Sequence, residues 1–223
     1  MLNKDLKLAK NVFDANIKTD STRNGLGDAL VKLGEKNNDV IVLTADLMES
    51  TRAHKFAEKF PERFVQMGVA EQNMAGVSAG LAMEGKIPFM TSFSVFSPGR
   101  NWEQIRASIC YSNLNVNIAS THSGLSADKD GATHQGLEDI ALARVLPNMT
   151  VLVPADYNQT IEAVLTATEI EGPTYVRLTR NKSPIFTTKT TPFKVGSAQI
   201  LKYGDDVTLI SCGPIVYEVL KAA

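Results

Sequence analysis

The sequence predicts an α/β protein built on a doubly wound parallel sheet, with the start of a second α/β domain behind it. Three observations carry that reading. Short β-branched runs are apolar at successive positions, so both faces of the strands they form need covering. Stretches of helical length, amphipathic or rich in Ala and Gly, separate the runs, which is the pattern of helices packed on both sides of a parallel sheet. The segments directly after the runs are polar and carry His122 and His134, and ligands gather beyond that edge of such a sheet.

In chain order, a helix predicted over Thr22–Glu35 leads into the strand VIVLT (Val40–Thr44) and the polar segment ADLMES. FVQM (Phe64–Met67) is followed by GVAEQN and a helix over Glu71–Met83, and PFMTSF (Pro88–Phe93) by SFSVFSPGR and a helix over Asn101–Ile109. NVNIAS (Asn115–Ser120) opens onto THSGLSADKDGATHQ and a helix over Gly136–Ala143. TVLVP (Thr150–Pro154) precedes the helix Tyr157–Ile170, and TYVRL (Thr174–Leu178) closes the series with LTRNKS. The helix after Glu71 is small-sided, with Ala75, Gly76, Ala79, Gly80 and Ala82. Glycine costs a helix about 1 kcal/mol relative to alanine, so two of them imply close approach by another element.

The expected organisation is an N-terminal extension over 1–20, the sheet domain over 21–180, a linker over 181–196 and the beginning of a further domain over 197–223. NKSPIFTTKTTPFKVG has a linker's Thr, Lys and Pro and no sustained periodicity. VTLISCG and PIVYEVLKAA then read as a strand and the opening of a helix, a pair too small to bury its own apolar face. At 223 residues, 43% hydrophobic and 21% charged, the chain suits a soluble globular protein. A net charge of −1 with scattered Lys and Arg argues against a nucleic-acid partner. No apolar run is long enough for a membrane, and MLNKDLKLAKNVFDANIK lacks the features of a signal peptide. Cys110 and Cys212 lie in runs that read as buried helix and strand, which suits reduced thiols and a cytoplasmic location.

Four motifs stand in order: TADLMES ending at Ser50, GVAEQNMAGVSAG at Gly68–Gly80, THSGLSADKDGATHQ at Thr121–Gln135 and LPNMTVLVPAD at Leu146–Asp156. Together they resemble the pyrimidine-binding domain of the transketolase family, in particular the C-terminal subunit of transketolases divided into two chains. The resemblance runs from about Ser21 to Ser183 and implies the thiamine-diphosphate pyrimidine-binding fold.

The resemblance also implies roles. Glu71 would hold a proton at N1′ of the cofactor's aminopyrimidine, and its neighbours Met67, Val69 and Met74 suggest an apolar surround that raises a carboxyl pKa. Phe93 and Phe96 match aromatics around that ring, and Asp46 a residue near the thiazolium. Gly99 stands where many single-chain transketolases carry a tyrosine. The His-Asp-His spacing of His122, Asp130 and His134 admits a metal reading, but the family gives each a non-metal task. His134 resembles the histidine near the reactive carbon that stabilises transferred hydroxyls, and Asp130 the acid bonded to the sugar's C2 hydroxyl. Arg23, Ser50, His122 and Arg180 match the residues that hold a sugar phosphate.

The GDG motif followed by Asn-Asn, which holds metal and diphosphate in the family, is not found, so no metal ligand is assigned to this chain. The resemblance implies thiamine diphosphate with Mg2+ or Ca2+ held by an N-terminal-half partner subunit, in an α2β2 assembly or with a homodimer of this chain. The implied activity is transfer of a two-carbon ketol unit between phosphorylated ketoses and aldoses. A non-catalytic scaffold subunit and synthases of the dihydroxyacetone or deoxyxylulose-phosphate type are the alternatives.

Overall fold

The computed structural model describes residues 1–223. Its strands are β1 (Thr19–Ser21), β2 (Val40–Thr44), β3 (Phe64–Gln66), β4 (Ile87–Phe93), β5 (Asn117–Thr121), β6 (Thr150–Leu152), β7 (Thr174–Arg177) and β8 (Lys182–Pro184). Six of them form one parallel sheet in the order β3-β2-β4-β5-β7-β6, and β1 pairs with β8 antiparallel. The helices are α1 (Thr22–Lys36), α2 (Met48–Thr51), α3 (His54–Lys59), α4 (Glu71–Met83), α5 (Trp102–Gln104), α6 (Asp139–Arg144), α7 (Tyr157–Ala167) and α8 (Val216–Ala222). None of them is long and apolar enough to cross a membrane.

Side chains alternate across a strand, so each central strand feeds two cores. Val40 and Val42 of β2, Phe89 of β4, Ala119 of β5 and Val176 of β7 join Leu26, Leu30, Ile161 and Val164 on the face covered by α1 and α7. Leu43, Met90, Ile118 and Tyr175, one position away on the same strands, join Met74, Ala75, Ile105 and Ile109 on the other. Continuous apolar runs were therefore required, because neither face meets water.

Several expectations shift. The helix expected over Asn101–Ile109 is one α turn followed by a π-helical stretch at Ile105–Cys110, with Leu114 N–H reaching Ile109 O at 3.1 Å. The helix expected from Gly136 starts at Asp139, because Gly136 is used elsewhere: its carbonyl accepts from Gly124 N–H at 2.8 Å. An added Cβ there would meet Ser94 Oγ at 2.5 Å. VTLISCG forms no strand: it touches the edge beyond β6 only through Gly213 N–H, which donates to Val153 O at 3.0 Å, and Val207 and Ile210 are 74% and 91% exposed. Cys212, expected in a buried strand, is exposed with it, whereas Cys110 is buried.

The stretch over 181–196 packs on the sheet domain. Lys182–Pro184 is β8, and Phe186 is buried with Val12, Tyr217 and Leu220 in a third cluster. Asp156, the N-cap of α7, is fully buried because four donors satisfy it: the N–H groups of Gln159 (2.9 Å), Phe186 (2.9 Å) and Thr187 (2.7 Å), and the Thr187 hydroxyl (2.7 Å).

Candidate active site

The polar segments after β2, β4, β5 and β7 meet at one edge of the sheet, as parallel strand order demands. Glu71, the first residue of α4, is 1% exposed. Its Oε2 accepts from the Arg100 guanidinium at 2.8 Å and its carbonyl from the Asn101 amide at 3.2 Å, while Oε1 accepts no hydrogen bond. The expected apolar surround is only partly present. Met74 is buried, but Val69 is 70% exposed, and the group facing the carboxylate is a cation.

Arg100 also lies over the Phe96 ring, 4.7 Å from its centroid. Phe96 stacks on Phe93 at 6.1 Å and 16°, and Phe93 on His122 at 3.7 Å and 24°. His134 meets both phenyl rings edge-on, at 6.3 Å from Phe93 and 5.4 Å from Phe96. A single stack thus runs from Glu71 through Arg100, Phe96 and Phe93 to His122, with His134 against its side. Gly99 cannot carry a side chain in this turn, since an added Cβ would lie 2.0 Å from Val95 O. A cleft lined by Phe96, Gly99, Arg100 and Thr133 opens beside the stack. Asp46, directly after β2 at φ 61°, is exposed; its N–H donates to Gln66 Oε1 at 2.8 Å, and its carboxylate makes no hydrogen bond within the chain.

His122 is 2% exposed at φ 58°, with Nδ1 2.8 Å from the Thr121 hydroxyl. Burial, then the charges of Arg23 and Arg180, push its pKa down to about 3, so it is a neutral imidazole. Arg23 donates to Ser50 O at 3.0 Å, and its buried Nε has no partner. Burial, Arg52 and Arg180 lower its pKa to about 10, leaving it protonated. Arg180 donates to Ala127 O at 3.2 Å and stands 3.9 Å from Asp130 Oδ2. Ser50 lies inside α2 with its hydroxyl unbonded. The fold therefore gathers Arg23, Ser50, His122 and Arg180 although they are up to 157 residues apart, and brings Asp130 to their rim. His122, Asp130 and His134 do not converge as metal ligands.

Two neighbours of these groups escaped the sequence reading. Arg100 is 29 residues from Glu71, and its only signal was a cation in a segment after a strand. Arg52, two residues after Ser50, acts electrostatically on both Arg23 and His122. A third group lies beneath the loop: Asp139 Oδ2 accepts from Tyr175 OH and Arg177 Nε, both at 2.7 Å.

The model of the transketolase pyrimidine-binding domain matches residues 18–185. A protein of Methanocaldococcus jannaschii, named as the C-terminal section of a transketolase, is 47% identical over 90% of this chain and 64% of its own length. A subunit of a 6-deoxy-6-sulfo-D-fructose transketolase from a Clostridium species is 36% identical over 95% of this chain and 66% of its own. Among solved structures, a split-gene transketolase described as an inactive β4 tetramer superposes with a TM-score of 0.82 at 50% identity, over 91% of this chain and 66% of that one. The chain thus spans a little under two thirds of the length of these relatives.

Proposed function

Because this chain belongs to the transketolase family through its pyrimidine-binding domain, we propose that it supplies the pyrimidine-side half of a thiamine-diphosphate site in a split transketolase. In this reading it moves a two-carbon ketol unit between phosphorylated ketoses and aldoses, together with an N-terminal-half partner that holds the diphosphate and its Mg2+ or Ca2+. The observation that carries the proposal is the continuous stack: a buried carboxylate at one end, an arginine-lined pocket at the other, and His134 between them.

The residues fit the group they would face. Glu71 Oε1, which accepts no hydrogen bond, beside two flat phenyl rings suits a protonated nitrogen of an aminopyrimidine. The bound cofactor would supply a nucleophilic carbon for the donor carbonyl. Glu71 would hold the proton at N1′ through Oε1 while Oε2 accepts from Arg100. His134 would donate to oxygen where negative charge develops, and Asp130 would accept from a sugar hydroxyl. Arg23, Ser50, His122 and Arg180 would hold the terminal phosphate, their charge-assisted bonds providing the affinity. The relative that acts on a sulfonated sugar supports a substrate with an acidic terminus.

A neighbouring chain also has a place to sit. Nothing lies within 4 Å of a Cβ added at Gly76 or Gly80, so the close approach implied by two helical glycines is made by no element of this chain. Calorimetry tests the reading. The chain alone is expected to bind thiamine diphosphate and Mg2+ weakly, and the mixture with its partner tightly. Tight, Mg2+-dependent binding by this chain alone would overturn the division of the site.

A further inference from the structure

We propose that Arg52 is a third arginine of the anion pocket and that it makes the pocket select a doubly charged substrate terminus, a phosphate monoester dianion, over a singly charged one such as a sulfonate. The proposal rests on the reading of this pocket as the phosphate site and adds to it a residue and a charge preference.

Arg52 is held in place rather than left to solvent. It ends α2 in the left-handed region at φ 71°, a conformation that non-glycine residues adopt at a cost. Its Nε donates to Asn24 Oδ1 at 2.8 Å and its Nη1 to Glu49 O at 3.0 Å, while Nη2 makes no hydrogen bond. A Cβ on Gly27 would lie 2.8 Å from Arg52 Cβ, so the residue presses on α1 one turn beyond Arg23, on the same face.

The charges do not balance internally. Arg63 and Arg177, two other half-buried arginines, each face a carboxylate, Glu62 at 3.4 Å and Asp139 at 2.7 Å. Arg23 and Arg52 face none within ion-pair distance, and Arg180 has only Asp130, at 3.9 Å. Three guanidinium groups, one distant carboxylate and a neutral His122 leave an excess of about two positive charges by this count. Partly desolvated cations without counter-ions are costly, and a bound dianion offsets that cost where a monoanion leaves one charge over.

A phosphate monoester loses its second proton near pH 6, whereas a sulfonate stays singly charged. Methyl phosphate and methanesulfonate are therefore the probes, titrated into the full chain near pH 5 and near pH 8 while the arginine Nε–Hε NMR signals are followed. Methyl phosphate is expected to bind roughly tenfold tighter at the higher pH, and methanesulfonate about equally at both. Because Asp130 also faces the pocket, methanesulfonate reports any change that belongs to the protein. Arg52→Met should weaken methyl phosphate about tenfold near pH 8 and methanesulfonate less than about twofold. Arg52→Lys, which keeps the charge, should retain the preference.

If Arg52→Met weakens both anions alike, or neither, the role given to Arg52 is wrong while the pocket stands. If Arg23→Met and Arg180→Met also leave binding unchanged, or neither anion binds the unmodified chain, the phosphate-site reading itself is lost.

Discussion

Glu71 and Asp139 are carboxylates buried to the same extent, 1% exposed, and each accepts from one arginine, at 2.8 and 2.7 Å. They differ in what surrounds the arginine. The Arg177 side chain is 17% exposed, and the same Asp139 oxygen also takes the hydroxyl of Tyr175, which is wholly buried. Burial, then Asp139, pushes the Tyr175 pKa well above its ordinary value, so it remains a donor. Arg100 is 45% exposed and rests on the face of Phe96. A cation that can turn into water leaves its carboxylate exchangeable, whereas one locked under a loop fixes it. Burial of the acid alone does not distinguish the two; burial of its partner does.

The largest effect should come from Glu71→Gln in the assembled complex. An amide cannot share the proton, and turnover should fall by about 10²- to 10⁴-fold, with hydrogen-deuterium exchange at the cofactor's reactive carbon falling alongside. Exchange at the unmodified rate would remove Glu71 from the chemistry. Next in size is the stability contrast between the two amides. Asp139→Asn leaves Arg177 without its counter-ion and should cost about 3 kcal/mol or more. Glu71→Gln frees an arginine that water can solvate and should cost about 1 kcal/mol or less. Urea unfolding measures both, and equal losses would break the comparison.

The smallest effect concerns His122, a buried ionisable group beside cations. Its folded pKa of about 3 lies below the ordinary value of 6.5, so between those values the unfolded chain binds the extra proton. Its contribution is complete above pH 6.5 and is lost as the pH falls through that window, by about 1.4 kcal/mol per unit. Urea midpoints at successive pH values should show this slope in the unmodified chain, and His122→Gln should reduce it. An unchanged slope in the variant would assign it to other groups.

What the sequence made legible follows from how local each signal is. VIVLT matched β2 to the residue and Glu71–Met83 matched α4, because a strand covered on both faces and a helix with a fixed first turn write themselves into short stretches. The late start of α6 was hidden, since Gly136 is taken by a contact with Gly124 across a loop. The site's own residue types were visible in the segments after the strands. Arg100 was not, because its partner lies on another element and no spacing announces a pair that tertiary packing makes. VTLISCG read as a strand by composition alone, yet a strand is defined by a ladder of bonds to its neighbour, and here a single one forms, from Gly213 N–H to Val153 O.

One small feature reaches further than its size. β1 and β8 pair Ser21 with Lys182, the Thr22 hydroxyl reaches Thr179 O at 3.2 Å, and Thr179 N–H returns to Thr22 Oγ1 at 2.7 Å. Arg23 and Arg180 are the next residues along each side of that clasp. The separation of the two arginines is thus set by a handful of adjacent backbone and hydroxyl bonds, and not by the long stretch of chain between them. Loops in that stretch can lengthen, shorten or drift in composition while the span between the two guanidinium groups stays the same, so the anion recognition proposed for this pocket would be insulated from variation in the rest of the domain.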